Sequence, residues 1–356
     1  MKTTHFFLVP VSLLIITLGF MAGCNNPTGG GGGGGGGSTK APWIYCGASA
    51  AKNISIINGT TNTRVGSIEL GGRTPYHMAA SIDGKKLYVT TDTNEVVVIN
   101  TATNTISGLI TIETPATISQ TKSFGMAVTK DGKYLYFTCY DLSNQVRVDL
   151  QNNNTYEVIG TSMNNPKGLI LNETGTIEFI NDQDTIITYT TSPWVYKADV
   201  TGSGTPVYGF ALKDGKVYAA AYNSLTGECY VLNSATGTIE ELITAEGATN
   251  FVGVVSIPGM NKLYVAQKNT TGKLNIIDTS STPTFESTII TGETFTMANP
   301  TYMAATTNGK YVYVMDISYA HAQLCVVDTD TDKVVAEIPV NPVQGEYDNN
   351  VVVVYK

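Results

Sequence analysis

The chain carries few side chains able to do chemistry. Beyond residue 24 it has two histidines, His77 and His321. His77 follows Tyr76 and lies near Arg73, while His321 sits in the insertion Asp316-Ile-Ser-Tyr-Ala-His-Ala322. Imidazole changes charge near neutral pH, so both are candidate contacts for a polar ligand. Two histidines without a Cys-x-x-Cys-His run cannot build a covalently held haem or a His-rich copper centre. Asp328-x-Asp330-x-Asp332 matches the first three positions of a calcium loop. Lys333 replaces the turn glycine there, and Pro339 stands where the bidentate Glu is needed. No cofactor or metal is therefore expected. No Gly-x-Ser-x-Gly, His-Glu-x-x-His or paired-carboxylate pattern appears, so no catalytic residue is assigned. The loop acids Asp92, Asp141, Asp182, Asp184 and Asp316 could still pair with a histidine for acid–base work.

A second set of residues recurs along the chain. Tyr76, Phe124, Tyr208, Phe251 and Tyr302 each stand just ahead of, or at the start of, an apolar strand, Lys167 holds the same register once, and Tyr347 precedes the last strand. Rings gathered around an opening would bind flat apolar or sugar-like ligands and orient them through hydroxyls. The candidate ligand-binding set is thus Tyr76, His77, Phe124, Lys167, Tyr208, Phe251, Tyr302 and His321. Met78, Met126 and Met303 share a register six residues before a glycine, which suits core packing. Cys46, Cys139, Cys229 and Cys325 show no pairing pattern and read as buried thiols, although an exported chain could form a disulfide.

The elements that must place these residues repeat. Asp83-Gly-Lys-Lys-Leu-Tyr-Val89 returns as Asp131 to Phe137, Thr174 to Phe179, Asp214 to Ala219, Gly259 to Val265 and Asn308 to Val314, with Trp43-Ile-Tyr45 as a reduced first copy. Asp-Gly and Asn-Gly mark tight turns, since glycine accepts positive φ without cost. A second strand follows, as in Val96 to Asn100. Then comes an Asx-led turn, as in Asn58 to Asn62, Asn100 to Asn104 and Asp328 to Asp332, and a further strand such as Val334 to Val340. With the apolar strand before each turn, the unit has four strands. Seven units of about 45 residues form a propeller.

Composition agrees. The 356 residues include 50 Thr, 20 Tyr and only three Arg, with 14% charged residues and a net charge of −8. Abundant Thr, Tyr, Val and Ile favour strands. An acidic chain with three Arg is unsuited to nucleic acid, whose phosphates need clustered Lys and Arg.

Lys2 and His5 precede an apolar run ending Phe20-Met21-Ala22-Gly23-Cys24. Such a run is a signal peptide rather than a span. Ala22-Gly23 before Cys24 resembles the lipobox of bacterial lipoproteins, with Met21 in place of the usual Leu. That resemblance implies lipidation of Cys24 and an outer-membrane anchor, facing the periplasm or the exterior. Asn-Asn-Pro-Thr and nine glycines follow, a flexible tether of roughly 20 Å.

Leu87-Tyr88-Val89-Thr90-Thr91 and Val98-Ile99-Asn100-Thr101-Ala102-Thr103-Asn104 resemble the YVTN-type, YncE-like seven-bladed β-propellers. The resemblance implies the fold and leaves function open. The expected organisation is a signal peptide at 1–23, a lipidated cysteine and tether at 24–42, and a propeller at 43–356. Its blades are placed at about 43–70 plus 349–355, then 76–112, 124–160, 166–200, 206–245, 251–291 and 300–341. The C-terminal strand is expected to complete blade one and close the ring.

The functional expectation is a monomeric, lipid-anchored cell-envelope protein that binds a small molecule, glycan or protein partner on its channel face. A cobalamin-like ligand is one option, since some surface lipoproteins with similar propellers serve cobalamin uptake. The alternatives are a lactonase-like propeller hydrolase and a non-catalytic surface adhesion or scaffold protein.

Overall fold

The computed structural model describes residues 40–113, 122–160, 163–200, 207–268, 273–289, 297, 299–317, 322–340 and 350–356. Cys24, the glycine tract, His321 and Tyr347 lie outside the described residues. Seven antiparallel four-stranded sheets stand in a ring. Blades two to seven each use four consecutive strands, while blade one combines Pro42–Ala48, Asn53–Asn58 and Thr63–Glu69 with the C-terminal strand Val351–Tyr355. Tyr355 pairs with Pro42 and Val351 with Cys46, so the chain's last strand is the innermost strand of its first blade. Closure covers the inner edge of Pro42–Ala48, an open edge of the kind that invites aggregation. Among the described residues no helix is long and apolar enough to cross a membrane.

Burial explains the near-continuous apolar runs. In blade two Val96, Val97, Val98 and Ile99 are all buried. Val96 and Val98 pack toward Phe137 and Val148 of blade three, whereas Val97 and Ile99 pack toward Tyr45 and Ile54 of blade one. Both faces of an inner strand are covered by neighbouring blades, so alternation would put polar groups into a core. The outermost strands, such as Thr63–Glu69, have one open face and are mostly exposed.

In three blade pairs the recurring Tyr of one blade meets the Asx at the fifth place of the next blade's turn. The Tyr45 hydroxyl donates to Asn104 Oδ1 at 2.6 Å, and Tyr313 donates to Asn62 Oδ1 at 2.7 Å. Tyr264 donates likewise to Asp332. Asn62, Asn104 and Asp332 have φ of 51°, 56° and 53°, a left-handed conformation that Asn and Asp tolerate better than other side chains. One residue type therefore closes the turn and ties the preceding blade. Lys262 Nζ also reaches Asp332 at 2.6 Å, and Lys356 Nζ reaches Asn104 at 2.9 Å. Blade four breaks the pattern: Glu178 replaces its Tyr, and Gly237 replaces the Asx of blade five.

Candidate functional site

The innermost strands share an irregularity. Pro75, Pro166 and Pro300 each open a strand, and a register shift follows, between 75 and 78, 166 and 169, and 300 and 303. Blades five and six shift at the same place, after Val207 and Phe251. Proline is tolerated at a strand start, and a bulge re-aims the side chains beside it. Two successive positions at these strand starts concern the site. The first is Tyr76, Phe124, Lys167 and Tyr208 in blades two to five; the second is His77, Gly125, Gly168, Gly209, Gly253 and Tyr302 in blades two to seven. Asn350 holds the second place in blade one.

The first group builds a pocket. A cavity of about 310 Å³ is lined by Tyr76, Lys122, Phe124, Tyr140, Lys167, Tyr208 and Tyr302. Tyr76 meets Phe124 edge-to-face at 6.3 Å, and Phe124 meets Tyr140 likewise at 5.4 Å. Lys167 Nζ donates to the Tyr208 hydroxyl at 3.0 Å and lies 4.3 Å from the Tyr208 ring centre and 5.7 Å from that of Tyr140. Burial holds the Lys167 ammonium below its ordinary pKa, against the opposing pull of Tyr140 and Asp184. The Lys122 ammonium stands 3.8 Å from Asp141.

The second group forms the throat beneath. A Cβ on Gly125 would lie 2.4 Å from the Lys167 carbonyl oxygen, and one on Gly253 2.2 Å from that of Thr301. At Gly209 it would lie 2.8 Å from the Cα of Gly253. Blades three and four, five and six, and six and seven thus meet backbone to backbone, which only glycine permits. Blades one, two and seven fill their side of the throat with side chains. Asn350 Nδ2 is 3.0 Å from His77 Nδ1 and donates to the Met78 carbonyl at 3.0 Å, and the His77 ring meets Tyr302 edge-on at 5.7 Å. Burial lowers the His77 pKa to about 3, opposed by a hydrogen bond with the Met78 backbone. His77 is therefore neutral at physiological pH and sits under the pocket wall at Tyr302.

Tyr76, Phe124, Lys167, Tyr208 and Tyr302 are thus brought together, whereas two residues proposed from sequence are not. Phe251 is one register place earlier, opposite Gln267. It is fully buried, against Phe285 of its own blade at 5.3 Å and beside Gly227 of blade five and Ala248. His77 lies within a strand, Pro75–Ala80, and packs in the throat rather than on a loop. Lys122 and Tyr140 were not in the sequence-derived set. Tyr140 follows the strand Tyr134–Cys139, where a loop joins the second and third strands. Tyr222 holds the same place in blade five and meets Tyr208 edge-to-face at 5.7 Å, a two-blade recurrence that could have marked Tyr140.

Three of the loop acids are engaged by backbone. Asp92 accepts from Thr74 N–H at 2.9 Å, Asp316 from Asn299 N–H at 2.6 Å, and Asp182 from Asn164 N–H. They fix the segments that lead into the innermost strands. Among the described residues no group of three or more His, Cys, Asp or Glu is placed to hold a metal. Cys46, Cys139, Cys229 and Cys325 are free and buried.

The chain matches no protein-family model and no curated protein. Solved structures share the architecture. Hydrazine synthase of Kuenenia stuttgartiensis is 17% identical, with a TM-score of 0.66 over 79% of this chain and 95% of that one. A functionally unknown protein of Desulfotomaculum acetoxidans is 14% identical, with a TM-score of 0.65 over 88% and 98% of the two chains. The dihydro-heme d1 dehydrogenase NirN, solved in complex with DHE, is 11% identical, with a TM-score of 0.59 over 85% of this chain and 74% of that one. At these identities the likeness is one of fold.

Proposed function

We propose that the protein is a lipid-anchored binding protein of the cell envelope, tethered through Cys24 to the outer membrane, which captures a ligand in the channel-face pocket. The observation that carries this reading is convergence. Residues from the innermost strands of blades two, four, five and seven, and from the segment leading into that of blade three, meet the Tyr140 loop around one cavity of about 310 Å³. That volume is at the small end of the range for small-molecule sites, and the mixture of rings with a few polar groups is their usual lining. The lipobox-like run before Cys24 and the glycine tract support the anchor. With three of the loop acids holding backbone, little remains of the acid–histidine cluster a lactonase-like mechanism would need.

Native mass spectrometry of the protein purified from its own host tests the reading. A retained small molecule that is lost in both Phe124→Ala and Tyr208→Ala is expected, together with acylated Cys24. A ligand retained equally in both variants would place binding elsewhere.

A further inference from the structure

We infer that the pocket selects a small planar anion, an aromatic or fused-ring carboxylate, whose charged end is held between Lys167 and Lys122 and whose ring lies against Tyr76, Phe124 and Tyr140. The inference rests on the binding reading above and narrows it.

Charge distribution is the first support. The chain is acidic, with a net charge of −8, yet the seven residues lining the cavity include two lysines and no carboxylate. Asp141 and Asp184 influence these lysines but do not line the cavity. The neutral His77 beneath adds no charge, so the lining itself is cationic. A half-buried ammonium has lost part of its hydration, which a carboxylate entering the same space restores through charge-assisted hydrogen bonds.

Ring geometry is the second support. Tyr76, Phe124 and Tyr140 form a continuous edge-to-face series. Tyr140 and Tyr208 both lie within 6 Å of Lys167 Nζ, at 5.7 and 4.3 Å. The cation is thus stationed at the border of the aromatic wall, as a ligand with an apolar ring and an anionic end requires. Size is the third. About 310 Å³ suits a one- or two-ring compound and leaves no room to engulf a corrin.

The test is calorimetric titration of the purified protein with 2-naphthoate and its neutral counterpart 2-naphthamide. Naphthoate is expected to bind about tenfold more tightly, the worth of one charge-assisted hydrogen bond. Lys167→Met should abolish that preference, bringing the two probes to within about twofold of each other. Lys167→Arg should retain it, and unfolding temperatures should show all variants folded. Equal binding of the two probes, an undiminished preference in Lys167→Met, or no naphthoate binding would overturn the anion inference. The site reading fails separately if probe binding persists unchanged in Phe124→Ala and Tyr208→Ala.

Discussion

Deleting residues 350–356 should cost the protein its cooperative fold. The segment supplies the innermost strand of blade one, paired with Pro42–Ala48 from Pro42 to Cys46. Val351, Val353 and Val354 are 0%, 7% and 2% exposed. Burying a valine side chain contributes roughly 1.5–3 kcal/mol, so three contribute at most on the order of 5–9 kcal/mol. Globular domains stand only about 5–15 kcal/mol above their unfolded state. The same deletion removes Asn350 from the throat, where it meets His77 and Met78. It also removes Lys356, whose ammonium joins Tyr45 to Asn104. Ile44, Tyr45 and Cys46, now fully buried, would gain an open strand edge. Thermal unfolding followed by near-ultraviolet circular dichroism, with binding of a hydrophobic dye as a second readout, measures the effect. The expected result is loss of the native transition and strong dye binding at temperatures where the intact chain is folded. A cooperative transition within about 3 °C of the intact protein corresponds to a loss of only ~1–2 kcal/mol and would refute ring closure as a stabilising element.

The throat and the blade three–four seam make further predictions. Gly253→Ala places a Cβ 2.2 Å from a backbone oxygen of blade seven and should destabilise by about 1–3 kcal/mol or more. Gly66→Ala, with nothing within 4 Å, should change stability by no more than ~0.5 kcal/mol; equal denaturant midpoints for the two would contradict the backbone contact. Glu178 is buried, accepting from Gln145 Nε2 and, at 3.2 Å, from Trp194 Nε1, and burial raises its pKa from 4.5 to about 7. The folded state then holds this proton more firmly than the unfolded one, so stability should fall as pH rises from about 4.5 to about 7. Glu178→Gln should flatten that slope, a difference on the order of 3 kcal/mol at most by pH 8; superimposable pH–stability curves would show that Glu178 is not the source.

The architecture was legible in the residues because a propeller is a local rule applied seven times. The Asp-Gly and Asn-Gly turns, the apolar strands and the Asx-led turns each reflect backbone preferences that act over a few residues, so repetition exposes them. Even the spare C-terminal valines could be assigned, since a first blade lacking a strand and a chain ending with one have a single economical solution. The shared place of Tyr76, Phe124, Lys167 and Tyr208 was visible for the same reason, whereas Tyr302 stands one place later and Phe251 one place earlier.

What the residues alone could not decide was direction. Phe251 and Tyr208 look alike in sequence, but the bulge falls after Val207 in one blade and after Phe251 in the other, so one ring enters the channel and the other the core. His77 reads as a loop histidine until Asn350, 273 residues away, is folded against it. Tyr140 and Lys122 gain meaning only beside Lys167. Turn type, strand and repeat follow from interactions between near neighbours along the chain. A pocket is set by which residues of different blades share a small volume, and that is fixed by the bulges and by the close backbone approach at the glycines.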